Sequence, residues 1–237
     1  MPLQNRVTPF STIEAADSRG LVMGNRGCLH DDARALRTQR WRTKSWIICR
    51  LAWQDARRQL MTPGSWTELF FLDEAVALAA GHRPCGYCRR DEYRKFLACW
   101  ASGTGWNLAR APRQPDIDAR LHADRVDRHG RQRHHDSKLD RVQDGCFVLL
   151  PNDPTPWLVQ GAWLHPWSHS GYGGPVRRPA GATVSVITPA STVAALAAGY
   201  TPIVHPSIAQ SGGSGGPARV SATRAERARQ PQGAELR

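Results

Sequence analysis

The run Gly81 to Cys88 (Gly-His-Arg-Pro-Cys-Gly-Tyr-Cys), at the end of an alanine-rich stretch, constrains this chain more than any other feature. A Cys-x-x-Cys turn brings two sulfurs close enough to share one tetrahedral ion, and a helix that starts just after it turns its positive end towards two thiolates. Cys85 and Cys88 are then half of a metal site. Zinc takes four ligands in a closed structural site and three plus an open position in a catalytic one, so the others must come from elsewhere in the chain. Cys49, in Trp46 to Arg50 (Trp-Ile-Ile-Cys-Arg), is the first candidate. Cys28 and His30 compete for the fourth place, with Cys28 favoured. Cys99 falls beside the apolar face of a helix and Cys146 opens a strand, so both read as core residues.

Charge narrows the class of partner. Lys and Arg number 32 against 20 Asp and Glu, a formal net charge of +12. An excess of that size points to an anionic partner, nucleic acid first. No apolar run approaches the ~18 residues of a membrane span, and Met1 to Gly20 lacks an apolar signal core. The expected location is the cytoplasm, where thiols stay reduced and six cysteines serve as ligands, nucleophiles or core before disulfides.

Gly20 to His30 reads as a glycine-punctuated loop, followed by a short helix capped by Asp31 or Asp32. Trp46 to Trp53 and Trp66 to Leu72 bracket the turn Thr62 to Ser65 and are expected to be antiparallel strands. Asp73 caps the next helix, in which Leu72, Ala75, Val76 and Ala79 recur at helical spacing, and Gly81 stops it. After Cys88, Tyr93, Phe96, Leu97 and Trp100 share one helical face. Residues 103–144 read as a basic, His-rich connector with one helix from Pro115 to Arg128. Short apolar pieces at 146–150, 157–160, 162–165 and 183–188 suggest a small antiparallel sheet or open barrel. Residues 208–237 read as a disordered tail. One internal echo runs through this layout: Ala75 to Cys85 aligns with Val193 to Ile203, the second copy lacking both sulfurs.

Phe70, Phe71, Glu74 and Ala75, followed by Ala79 to Cys88, resemble the cysteine-rich zinc module at the N-terminus of the bacterial Ada alkylation-response protein, over about residues 46–92. That resemblance implies a small α+β fold in which strand, helix and cysteine turn form half of a zinc site and the module contacts DNA. Ile47 to Arg50 resembles the family's strand, which carries a cysteine pair spaced Cys-x-x-x-Cys, the second of which takes a methyl group from a damaged phosphate. Here the pattern departs. If Cys49 matches the first of the pair, the second falls at Trp53, which cannot bind zinc; if it matches the second, Cys28 serves as a displaced first.

The expected protein is α+β. An N-terminal extension (1–19) precedes an Ada-like zinc module (20–102), the connector (103–144), a small β-rich domain (145–207) and the tail. Cys28, Cys49, Cys85 and Cys88 hold zinc, and Arg50, Arg83, Arg89, Arg90 and Arg94 face the phosphates of a nucleic acid, DNA before RNA, in repair, defence or regulation. Two rivals stand beside this reading. One is an enzyme acting on DNA, either a methyl-accepting thiolate or a nuclease using His122 with His129, His134, His135 and the interleaved Asp118, Asp124, Asp127 and Asp136. The other is a protein-interaction module whose charge is incidental.

Overall fold

A computed structural model describes residues 1–54, 59–107 and 109–210. Most of the expected tail, 211–237, and part of the loop after Trp53 lie outside the described residues. The fold is α+β, with helices packed on two mostly antiparallel sheets.

The first sheet is built from β1 (Gln4–Val7), β2 (Ile13–Ala15), β3 (Val22–Asn25), β4 (Ile47–Cys49), β5 (Leu69–Phe71) and β6 (Arg83–Pro84), in the order β2-β1-β5-β3-β4-β6. The strands expected to pair across the Pro-Gly turn, β4 and β5, are therefore not neighbours. Between them lies β3, from the segment read as a loop, pairing Gly24 with Ile48 on one side and Leu69 on the other. Its glycine explains both the misreading and the geometry. A Cβ on Gly24 would stand 2.1 Å from the Ile47 carbonyl oxygen, so only glycine lets β4 approach this closely. The helix expected after Asp31 is also absent. The Asp31 carboxylate instead accepts from the Ala35 amide at 2.9 Å, closing a turn that brings Leu36 against His30.

The Asp73 cap forms as expected: its side chain accepts from the Val76 amide at 2.9 Å and starts α1 (Glu74–Ala79). Every residue of α1 is buried. A helix enclosed on all sides belongs in the interior, and here the small side chains of Ala75, Ala77 and Ala79 let it sit against β5 of the first sheet and β8 (Phe147–Leu149) of the second. α2 (Arg90–Gly103) follows the cysteine turn and buries Phe96 and Trp100. It packs on α4 (Ala190–Ala197), where a Cβ on Gly103 would fall 2.1 Å from the Ala194 carbonyl oxygen.

The second sheet joins β8, β9 (Trp157–Gln160), β10 (Trp163–Ser168), β11 (Gly171–Tyr172), β12 (Val176–Arg177) and β13 (Thr183–Val186), with β7 (His135–Lys138) at the far edge beside β13. All its pairings are antiparallel, as the short apolar pieces suggest. The stretch read as a polar connector does more than connect. α3 (Gln114–Arg125) packs on α4 and buries Ile117 and Leu121 in the same core as both sheets. α5 (Ser207–Gln210) ends the described chain against β11. Asp73 and Glu74, at the head of α1, clamp the two halves together. Asp73 accepts from the Tyr172 hydroxyl at 2.7 Å and the His205 amide at 2.9 Å, and Glu74 from the Tyr200 hydroxyl at 2.6 Å and the Ile203 amide at 3.0 Å. Among the described residues no helix is long and apolar enough to cross a membrane.

Candidate metal centre

β4 delivers Cys49 at its last residue, and β6 runs parallel beside it, pairing Ile47 with Arg83 and Ile48 with Pro84. The ladder continues one step as the Cys85 amide donates to the Ile48 carbonyl at 2.9 Å, which places Cys85 across from Cys49. The chain then turns: the Arg89 amide returns to the Cys85 carbonyl at 3.1 Å, so Cys88 faces back towards Cys85 as α2 begins. Three sulfurs result, those of Cys49, Cys85 and Cys88, all within 4.8 Å of one another and all buried. Thiolates bound to zinc at ~2.3 Å stand roughly 3.8 Å apart in a tetrahedron, so the cluster can close on an ion with small side-chain shifts.

Hydrogen bonding prepares one of these sulfurs, that of Cys85, for a cation. The Cys49 thiol donates towards Cys85, and that contact, ahead of any other cause, holds Cys85 down to about 5 while pushing Cys49 far up. The Tyr87 amide also donates to the Cys85 sulfur at 3.4 Å. Burial raises Cys88. The three thiols share protons that a metal would displace. Met23, Ile47 and Trp53 pack against the cluster, and Tyr87, largely exposed, meets the Trp53 ring edge-on at 6.0 Å.

The fourth expected ligand is elsewhere. Cys28 is not among the clustered sulfurs; its thiol lies 3.7 Å from the His30 carbonyl oxygen. Its competitor His30 is taken up by the Thr67 hydroxyl at 2.7 Å and the Thr62 carbonyl at 3.1 Å. The physical reason is β3. Once Val22–Asn25 forms a strand between β5 and β4, the residues after it are carried away from the sheet edge where the cysteines meet.

The expected phosphate-facing arginines divide. Arg83 is fully buried and gives two hydrogen bonds, of 2.7 and 2.8 Å, to the Asp118 carboxylate. Arg89 is buried against Glu74 at 3.0 Å. Neither guanidinium is presented to a polyanion; both hold elements together, because a buried cation needs a carboxylate more than a surface one does. Arg50 stays at the surface, donating to the Cys88 carbonyl at 2.8 Å and reaching Glu92 at 3.4 Å. Arg90 and Arg94 are exposed in the first turns of α2.

The histidine group does not assemble. Asp118 is committed to Arg83, and His122 accepts from Arg125 at 2.9 Å between the rings of Trp41 and Trp46. Burial, then Arg125 and Lys44, hold His122 down to about 4. Among the described residues the three cysteines are the one grouping of metal-ligand side chains. Trp53, four residues beyond Cys49 and at the position where one alignment puts the second cysteine, packs against the sulfurs. Buried arginines such as Arg26 carry no signal in the sequence, since nothing local marks them as interior. No protein-family model, no curated protein and no solved structure matches this chain, so the meaning of the three-sulfur cluster comes from its own geometry.

Proposed function

We propose that this chain is a zinc-containing, nucleic-acid-binding protein of the cytoplasm, acting on DNA in a repair, defence or regulatory setting. The observation that carries the reading is the Cys49–Cys85–Cys88 cluster, three thiols converging from a strand end and a helix-initiating turn. Thiolate sets of this kind favour zinc over hard cations such as magnesium or calcium. Arg50, tied to the Cys88 carbonyl, and Arg90 and Arg94 on α2 supply exposed positive charge next to it. The position of Trp53 against the sulfurs, four residues beyond Cys49, agrees with the first of the two Ada-like alignments.

Metal analysis of the purified protein tests the zinc half: one zinc per chain, lost on replacing Cys49, Cys85 or Cys88 and kept on replacing Cys28. A protein free of zinc that stays folded in chelator sinks it. Duplex binding measured across a salt series tests the other half. Affinity should fall steeply as salt rises, as counterion release requires, and less steeply once Arg50, Arg90 and Arg94 are replaced together. Absent or salt-independent binding leaves the interaction-module reading in its place.

The count of three sulfurs favours a second reading, in which a zinc-bound thiolate is reactive. A closed structural site has four protein ligands, whereas three leave a position open. In that case a thiolate would take a methyl group from a DNA phosphotriester, forming a thioether and leaving a phosphodiester. A one-methyl mass increase on a peptide carrying Cys49, Cys85 or Cys88 after incubation with such DNA would establish it; unmodified peptides would return the cluster to a structural role.

A further inference from the structure

Among the described residues, Arg26, Arg83, Arg89 and Arg125 are wholly or almost wholly buried. Arg83 and Arg89 have carboxylates at 2.7 and 3.0 Å. Arg125 donates to the carbonyls of Gly81 and Lys44 at 2.9 and 2.7 Å. Arg26 is different. Its Nη1 reaches the Ser11 carbonyl at 3.1 Å and its Nε the His82 ring at 3.2 Å, but Nη2 has no partner among the described residues, and no carboxylate there pairs with it. Its guanidinium lies 4.1 Å from the centre of the Trp46 ring, which Arg125 also contacts, at 3.8 Å. One indole therefore serves two cations.

A cavity of about 270 Å³ opens beside this group. Arg26, Arg40 and Arg131 contribute to its wall with Trp41 and Trp46, and no carboxylate among the described residues lines it. Arg131 is already paired with Asp127 at 2.9 Å, which leaves Arg40 at the surface and Arg26 behind the wall as the cations beside the space with no carboxylate partner among the described residues. A buried cation lacking a counter-charge is strongly disfavoured, and a second cation close by makes it worse. Burial first, and Arg40 second, hold Arg26 down to about 9. An anion in the cavity would remove both penalties at once.

We propose that this cavity is an oxyanion site that takes a phosphate group, with Arg40 donating from its rim and the unbalanced charge of Arg26, covered behind the wall, attracting it. Guanidinium nitrogens suit tetrahedral oxyanions because several N–H groups can reach adjacent oxygens. The half-buried Trp41 ring, 5.7 Å from the buried Trp46, gives the wall an aromatic surface, so the site accommodates a phosphate carried at the end of a nucleic-acid strand as well as the free ion. It uses none of the cysteines and stands whether or not they bind zinc.

Thermal unfolding and titration calorimetry on the intact chain, with inorganic phosphate against chloride of matched ionic strength, test the proposal. Phosphate should raise the unfolding midpoint saturably, and chloride should not. Arg40→Gln, at an exposed position, should fold as the parent does and weaken phosphate by about tenfold or more. Arg26→Met should lose the phosphate response while its midpoint in chloride equals or exceeds the parent's, since an uncompensated buried charge has gone. If Arg26→Met does not fold, Arg40→Gln decides. No saturable phosphate effect on the parent, or an undiminished one in Arg40→Gln, overturns the site. Competition by a 5′-phosphorylated oligonucleotide, but not its 5′-hydroxyl counterpart, assigns the phosphate to a strand end; phosphate binding without such competition assigns it to the free ion.

Discussion

The turn that ends α1 and the turn that ends α4 have the same backbone closure. Gly81 and His82 donate to the carbonyls of Leu78 and Ala77, and Gly199 and Tyr200 donate to those of Leu196 and Ala195. Both glycines are left-handed, with φ of 87° and 100°. This is the pattern by which glycine satisfies the last carbonyls of a helix, and it occurs at matching positions of the internal echo. The uses then diverge. The first turn enters β6 alongside β4 and delivers Cys85 and Cys88 to Cys49; the second reaches back, placing Tyr200 and Ile203 on the Glu74 carboxylate. A helix stop is thus a local property, and the destination of the chain beyond it is decided by the neighbour it meets.

Matched substitutions in the two turns separate these contributions. The largest difference is expected at Cys85 and its counterpart Ile203. With zinc bound, Cys85→Ser should release the metal and remove much of a contribution on the order of 10 kcal/mol, whereas Ile203→Ser, at a half-exposed side chain, should change stability by less than about 0.5 kcal/mol. Metal content and denaturant midpoints read both. Next comes Asp73, which accepts three hydrogen bonds, against the aligned Ser191, whose buried hydroxyl has no partner among the described residues. Asp73→Ala should cost about 3 kcal/mol through the lost cap and the lost hydrogen bonds from the Tyr172 hydroxyl and the His205 amide, and Ser191→Ala close to nothing in the same unfolding assay.

The glycines differ more subtly. Alanine at either should cost about 1–2 kcal/mol for the left-handed backbone. Gly81→Ala should cost about 1–3 kcal/mol beyond that, because its Cβ would meet Arg125 Cδ at 2.6 Å while a Cβ on Gly199 meets nothing within 4 Å. Equal losses would show that Arg125 yields. The smallest effect is acid sensitivity. His82 is held well below its ordinary value by burial, then by Arg26 and Arg125. Below pH ~6.5 the unfolded chain gains a proton there that the folded chain refuses, so stability should fall with decreasing pH, by at most about 1.4 kcal/mol per unit from this group. Its counterpart Tyr200 is pushed upward by burial and Glu74 and contributes nothing in that window. Urea midpoints at pH 6.5 and 5, with and without His82→Gln, isolate the effect: the variant should have the flatter profile.

Legibility followed locality. Asp73, the apolar spacing of α1 and Gly81 act within a few residues of one another, and the helix they define is present with the cap and stop expected of them. β8, β9, β10 and β13 are likewise readable, because short apolar pieces between turn residues are short-range signals, whereas the two-residue strands β11 and β12 carry none. What failed was long-range. Gly24 looked like a loop residue because its purpose is to admit the Ile47 backbone from a distant strand, and Arg83 and Arg89 looked like surface cations because Asp118 and Glu74 are far away in sequence. Ile117 and Leu121 were hidden by the charged residues around them.

The sequence by itself determined the two helix stops, the Cys-x-x-Cys turn and the candidacy of Cys49, since bond geometry and capping chemistry act between near neighbours. Tertiary structure alone decided that β3 divides β4 from β5, that Cys28 is left outside the sulfur cluster, and that Arg26 is buried beside a cavity whose described lining holds no carboxylate. Those outcomes depend on which strand edges and charges meet after the chain has crossed the core, and a residue's own neighbours do not encode that meeting.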